Sequence, residues 1–326
     1  MSQHILFNPK IQLILADVDE TIADIYRLAN SEMILELNKL LEEKRVLFLV
    51  SGGGLQSIRE RITDLLKPEL RHRVIIAHCS GAEVWGFQRN GNLNDKPYYG
   101  IYDECLTNSQ KEEWRKIMND TIRTFHLKTF HTQPKTEFIA LTKGDTLAVM
   151  LADRGPQITL EFVNSFHLSI AQKEILEKEL NITIPLFHDA YDLRIPVLEY
   201  LKKKYQEAHL PIEPKLGGTC ALDSIIGGVD KTKAIQFILN HNSVLQNLDI
   251  DKNNISEADE IEIWGDKFGQ KKGGPDFQMC LAVSPKVRTI DFRKENVDEI
   301  PKGYNIQLWN GEKELHNGLL EYLQSR

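Results

Sequence analysis

Two aspartates one residue apart open the segment Asp17-Val18-Asp19-Glu20-Thr21. The apolar run Ile11 to Ala16 ahead of them has the character of a buried strand. Residues i and i+2 of an extended segment face the same way, and ligands of open α/β sheets bind beyond the carboxyl ends of the strands. Both carboxylates are therefore expected to face one crevice. Like charges so close need a cation, a shared proton or full solvation. On these five residues alone, a solvated helix-capping turn fits as well as a reactive site.

A second acidic pair tips the balance. Gly265-Asp266 ends a later strand pattern, Glu260 to Trp264, and Gly273-Gly274-Pro275-Asp276 opens a helical pattern. If both strands are central, up to four carboxylates converge on one rim, an oxygen-rich site of the kind that suits Mg²⁺. Asp276 taken alone reads as an N-cap. Ser51 follows the apolar run Val46 to Val50 and precedes Gly52-Gly53-Gly54. A hydroxyl and bare backbone N–H groups there can hold a phosphate, although such glycines also serve ordinary strand-to-helix turns. Lys231, in Gly228-Val229-Asp230-Lys231, starts a helix where the dipole is already positive, which suggests a negative partner nearby, although a solvated lysine is the better reading of the position taken alone.

Alternating elements must carry these residues. Apolar strands at Ile11–Ala16, Val46–Val50 and Val74–Ala77 alternate with helical patterns built on Met33, Leu37 and Leu41 and on Leu55, Ile58 and Ile62. That order predicts a doubly wound α/β sheet with helices on both faces. After about Gly100 the rhythm changes to α+β. A helix carries Trp114, Ile117 and Met118. Glu137–Leu141 and Thr146–Leu151 flank Lys143-Gly144-Asp145 as a hairpin, and a strand is expected at Ile182–Phe187. Pro211, Pro214, Gly217 and Gly218 punctuate the exit. Leu222–Ile226 then reads as a return to the alternating pattern. The expected organisation is a discontinuous core, residues 1–102 and 217–326, with a cap at 103–216.

Composition narrows the function classes. The chain has 326 residues, 41% hydrophobic and 27% charged, enough to bury full cores. A net charge of −7 argues against a nucleic-acid partner gripped by a broad basic face. No apolar run approaches a membrane span, and residues 1–10 do not read as a secretory signal. Cys79, Cys105, Cys220 and Cys280 form no Cys-x-x-Cys pair, so reduced thiols in the cytoplasm are expected. Asp249-x-Asp251-x-Asn253 with Glu260 imitates a calcium loop, but Asn254 stands where Gly is needed, so an acidic surface loop is the better reading.

Asp17-x-Asp19-x-Thr21, Ser51, Lys231 and Asp266 with Asp276, in that order, resemble the motifs of the haloacid-dehalogenase-like superfamily of phosphatases and phosphomutases. The inserted segment is similar to that family's cap between the second and third motifs, and His78-Cys79-Ser80-Gly81-Ala82 resembles the segment before such caps. Val50-Ser51-Gly52-Gly53, Gly228-Val229-Asp230-Lys231 and Gly265-Asp266-Lys267 resemble the phosphomannomutase-like and sucrose-phosphatase-like branch. Glu20 replaces the usual Gly, Gln270-Lys271-Lys272 is an added stretch, and Pro275 replaces the usual Asn.

The resemblance implies a Rossmann-like core and a Mg²⁺-dependent phosphatase acting on a small phosphorylated metabolite, with a sugar phosphate as the expected substrate. Asp17 would be the nucleophile and Asp19 the general acid–base. Thr21, Ser51, Gly52 and Lys231 would hold the phosphoryl group. Asp17, the Asp19 carbonyl and Asp266 would hold the metal, with Asp276 binding directly or through water. Two alternatives stand beside it: a phosphohexomutase, and a non-catalytic binding protein on the same fold. The cap arginines Arg115, Arg123, Arg154 and Arg194 are scattered, which favours hydrolysis over the second phosphate clamp that a mutase needs.

Overall fold

The computed structural model describes residues 5–269, 274–294 and 300–326. Its strands, in chain order, are β1 (Leu13–Ala16), β2 (Val46–Val50), β3 (Val74–His78), β4 (Glu83–Gly86), β5 (Tyr99–Gly100), β6 (Lys128–Phe130), β7 (Ala148–Asp153), β8 (Gln157–Glu161), β9 (Leu186–Phe187), β10 (Ala190–Tyr191), β11 (Ile212–Gly217), β12 (Ala221–Ile226), β13 (Ile261–Gly265), β14 (Arg288–Asp291) and β15 (Ile306–Leu308). The chain divides into two compact units, residues 1–100 with 229–326 and residues 101–228.

The first unit is built on an eight-stranded sheet ordered β15-β14-β13-β1-β2-β3-β4-β5. The run from β15 to β3 is parallel, and β4 and β5 add an antiparallel edge. β1, β2, β3 and β13 are buried throughout, as strands covered on both faces must be. One face packs Ile14, Leu47 and Ile76 under the helix Ser31–Glu42 and the C-terminal helix Leu315–Gln324. The other packs Leu13, Phe48 and Ile263 under the helix Lys231–Asn240. β1 lies between β2 and β13, whose connections leave on opposite sides. Such a reversal opens a crevice at the carboxyl ends. Asp17, Ser51 and Asp266 immediately follow β1, β2 and β13.

The second unit holds a five-stranded sheet, β11-β12-β8-β7-β6, and the small ribbon of β9 with β10. Helices Asn108–Thr124 and Ile170–Leu180 each begin with a reciprocal capping box, Thr107 with Gln110 and Ser169 with Gln172. Trp114, Leu160, Phe162 and Leu222 are buried in this unit, and Tyr205 donates to Ser224 Oγ at 3.0 Å.

Three sequence expectations change. The return to the first unit falls at Val229, not Gly217. Leu222 pairs with Leu160 in the five-stranded sheet, and Gly217-Gly218 sits in the tight β11–β12 hairpin. Pro214 is tolerated there because β11 is an edge strand. Glu137–Leu141 belongs to the helix Lys135–Thr142, which starts after Pro134 and ends on left-handed Lys143 (φ 53°). The Lys143-Gly144-Asp145 turn is thus a helix terminus leading to β7. Of Ile182–Phe187, only Leu186–Phe187 is strand, paired across the His188-Asp189 turn with Ala190–Tyr191.

The turn after β3 ties the first unit's loops together. Cys79 N–H donates to the Gly53 carbonyl and Ser80 N–H to the Ser51 carbonyl, both at 2.9 Å. Gly81 has φ +93°, and a Cβ there would lie 2.8 Å from the Asp230 carbonyl oxygen and 2.9 Å from Ala234 Cβ. Gly81→Ala should therefore cost about 2–3 kcal/mol in urea unfolding, from left-handed strain plus a clash with the start of the Lys231 helix. Unchanged stability would show that the turn relaxes freely.

Candidate active site

Asp17, Lys231, Asp266 and Asp276 are at least nine-tenths buried and meet at the rim of β1 and β13. Lys231 Nζ donates to Asp17 Oδ1 and to Asp276 Oδ1, each at 2.8 Å. The negative partner implied by a lysine in a first helical turn is thus a pair of carboxylates, and Asp230 caps that helix by accepting from Lys233 N at 2.8 Å. Asp276 is no N-cap in the bonding sense, since its side chain makes no capping bond. Its Oδ2 accepts instead from the backbone N–H groups of Asp266 (3.1 Å) and Lys267 (3.0 Å), bracing the loop after β13. Gly273, and the added stretch Gln270-Lys271-Lys272, lie outside the described residues.

These charges set one another's ionisation. Burial, reinforced by the Asp276 charge, pushes the Asp17 carboxyl well above its usual range, against the pull of Lys231. Burial raises Asp266 also. Asp276 is held low: burial opposes its ionisation, but Lys231, Lys267 and the backbone donors outweigh that. Lys231 is held protonated despite burial by Asp17 and Asp276.

The remaining expected residues surround this centre. Thr21 is buried and its hydroxyl donates to Asp266 Oδ1 at 3.3 Å. Ser51 Oγ accepts from Gly53 N at 2.9 Å and lies 3.4 Å from Asp19 Oδ2. A Cβ on Gly52 would meet Ser80 Oγ at 3.7 Å, so the loop is open enough for its backbone to approach a ligand. The Asp19 carboxylate stands apart from the metal-type cluster and is held by Arg61 Nη1 at 2.7 Å.

Carboxylate oxygens of Asp17, Asp266 and Asp276 lie within 4.8 Å of one another. Three buried oxygen donors with no sulfur or imidazole suit a hard divalent cation such as Mg²⁺ and exclude preference for a soft one. The calcium-like segment makes no such site. Asp249 pairs with Arg73 at 2.9 Å and with Arg89, and the Arg89 hydrogen bond leads in holding its carboxyl at about 2.

Three cations had no role assigned from the sequence, although Lys267 stands in the motif Gly265-Asp266-Lys267. Arg293 donates to Asp266 Oδ2 (2.7 Å) and Glu20 Oε2 (2.8 Å), and Lys267 Nζ donates to Glu20 Oε2 (2.9 Å). Arg61 was the third. Arg293 carries a usable signal, because it lies just past β14, at the same strand ends as Asp266. Glu20, at φ +68° in the position expected to be Gly, gathers Lys267 and Arg293.

No protein-family model matches the chain, and no curated protein matches it. Solved structures do. A haloacid dehalogenase-like hydrolase from Bacteroides thetaiotaomicron aligns with a TM-score of 0.53 and 16% identity, covering 96% of this chain and 98% of that one. The SMU.1108c protein of Streptococcus mutans UA159 aligns at 0.50 and 14%, over 96% and 98%. An IMP-bound IMP-nucleotidase of Plasmodium falciparum aligns at 0.47 and 13%, over 97% and 68%. With its strand order, the chain has the haloacid-dehalogenase-like fold. Among the described residues no helix is long and apolar enough to cross a membrane.

Asp17→Asn should stabilise the metal-free protein at neutral pH, because it removes one of three buried carboxylates, the one that Asp276 and Asp266 both repel. Asp17 has a folded-state pKa above its unfolded value, so its ionisation penalises the folded wild type at neutral pH. As pH falls through that raised value the native carboxyl takes up a proton and the penalty disappears. The variant's advantage in urea unfolding should thus shrink from pH 7.5 toward acid; an advantage that grows would contradict the assignment.

Proposed function

We propose that the chain is a Mg²⁺-dependent phosphatase that hydrolyses a small phosphorylated metabolite, such as a sugar phosphate, through an aspartyl-phosphate. The observation that carries this reading is a buried aspartate, Asp17, held against Lys231 beside two further carboxylates. Asp17 would attack phosphorus. Asp19 would give a proton to the leaving oxygen and later take one from water. Lys231, Ser51, Thr21 and the Gly52 backbone would hold the phosphoryl oxygens, the main contribution a protein makes to phosphoryl transfer. Asp17, Asp266 and Asp276, with the Asp19 carbonyl, would hold Mg²⁺. When bound, the ion supplies positive charge that lets a carboxylate approach a phosphate dianion.

Residues 101–228 would act as a cap that reads the leaving group and excludes water. Hydrolysis is favoured over mutase action by the state of the cap's arginines. Arg115 pairs with Asp153, Arg123 with Asp120 and Arg194 with Asp192, and Arg154 donates to Thr159 Oγ1 at 3.0 Å. A mutase clamp would require these forks to face a second phosphate. A binding-only role is disfavoured because a carboxylate cluster and a buried lysine are costly to maintain without chemistry to perform.

A screen of phosphorylated metabolites with Mg²⁺, read as released phosphate, tests the reading. Asp17→Asn should lower turnover at least about 1,000-fold while keeping the fold. Activity that persists in that variant, or in a chelator, would refute it. With glucose 1-phosphate and a hexose bisphosphate, phosphate release without 6-phosphate formation is expected, and bisphosphate-stimulated isomerisation would establish the mutase instead. Mg²⁺ should raise the melting temperature of the wild type, and Asp266→Ala should lose most of that shift.

A further inference from the structure

Arg61 ends the helix Leu55–Arg61 and is only 6% exposed. Burying a guanidinium is costly unless its donors are satisfied. Here Nε donates to the Arg27 carbonyl at 2.9 Å and Nη2 to the Asp24 carbonyl at 2.6 Å. Nη1 donates to Asp19 Oδ1 at 2.7 Å. The Arg61 carbonyl in turn accepts from Ala29 N at 3.0 Å. The two carbonyl bonds help fasten the segment after Thr21. The third bond does something further, because it reaches a partly exposed carboxylate, 26% accessible, that water could otherwise solvate.

That bond distinguishes the two oxygens of Asp19. Oδ1 is held by Arg61. Oδ2 faces the phosphate loop, 3.4 Å from Ser51 Oγ and 3.8 Å from where a Cβ on Gly53 would stand. A planar fork fixed at three points cannot swing with the carboxylate, as a lysine could. We propose that Arg61 is a positioning residue for proton transfer: it locks Oδ1 of Asp19 and thereby presents Oδ2 to the leaving group. The proposal rests on the acid–base reading of Asp19.

The proton inventory is then defined. In the first step an Asp17 oxygen bonds to phosphorus, the bond from phosphorus to the ester oxygen breaks, and the proton on Asp19 Oδ2 passes to that oxygen. In the second, a water oxygen bonds to phosphorus, the bond from Asp17 oxygen to phosphorus breaks, and a water proton passes to Oδ2. A misplaced Oδ2 impairs the first step only when the leaving oxygen needs a proton.

The test compares kcat/KM for an alkyl phosphate ester and for 2,4-dinitrophenyl phosphate, whose leaving group departs unprotonated. Arg61→Met should lose about 100-fold on the alkyl ester and no more than about 3-fold on the dinitrophenyl ester. In an Asp19→Asn background the same substitution should change the alkyl rate by no more than about 2-fold, since a positioning residue has nothing left to position. Should Arg61→Met fail to fold by circular dichroism, Arg61→Lys carries the comparison, with a selective loss of about 10-fold. Equal losses on both esters, no loss, or full additivity with Asp19→Asn would overturn the proposal. If Asp19→Asn itself shows no selectivity between the esters, the acid–base reading fails and Arg61 loses the role with it. If Asp19→Asn is selective and Arg61→Met is not, only the Arg61 proposal fails.

Discussion

The ammonium of Lys231 lies 2.8 Å from both Asp17 and Asp276, buried with them. Without it, two carboxylates would face each other in a site closed to water, a situation that costs several kcal/mol. The surrounding structure follows from that demand. The helix Lys231–Asn240 must start at the rim of β1, which requires Gly81 to let it approach. Asp276 must turn away from its own helix, which gives the loop after β13 its brace. One interaction thus links β1, the helix that begins the return to the first unit and the loop carrying Asp266.

Around this centre charge is distributed in pairs. Asp266 and Glu20 share Arg293 and Lys267, while Asp19 has Arg61. Asp17 remains the carboxylate least at ease, with burial and Asp276 both opposing its charge. A carboxylate so placed gains from contact with further positive charge. The same arrangement sets the two aspartates apart: Asp17 is enclosed and bonded to Lys231, whereas Asp19 is partly exposed and held by Arg61 from outside the cluster.

Much of the first unit was legible in the sequence because β1 and β2 are unbroken apolar runs, followed at once by Asp17 and Ser51. Lys231 was legible as an anomaly, a cation where the helix dipole disfavours one. The boundary at Val229 was not, because the Gly217-Gly218 turn of a hairpin has the same composition as a linker. Lys135–Thr142 was misread because its aromatic and β-branched residues suit strands, whereas Pro134 and the tertiary contact of Phe138 with Phe130 favour the helix. Arg61 had no sequence signature at all: Arg59-Glu60-Arg61 reads as a solvated helix end, and only the fold reveals that its last residue is buried against Asp19.

In the proposed reaction Asp17 is the nucleophile and carries the phosphoryl group as a covalent intermediate. The most direct measurement is acid quenching of the protein during turnover of a phosphate ester with Mg²⁺, followed by peptide mass spectrometry. One added phosphoryl group is expected on the peptide containing Asp17, lost in mild base and absent from Asp17→Asn. Phosphoryl on another residue, or turnover under single-turnover conditions with no trapped adduct at any quench time, would contradict it.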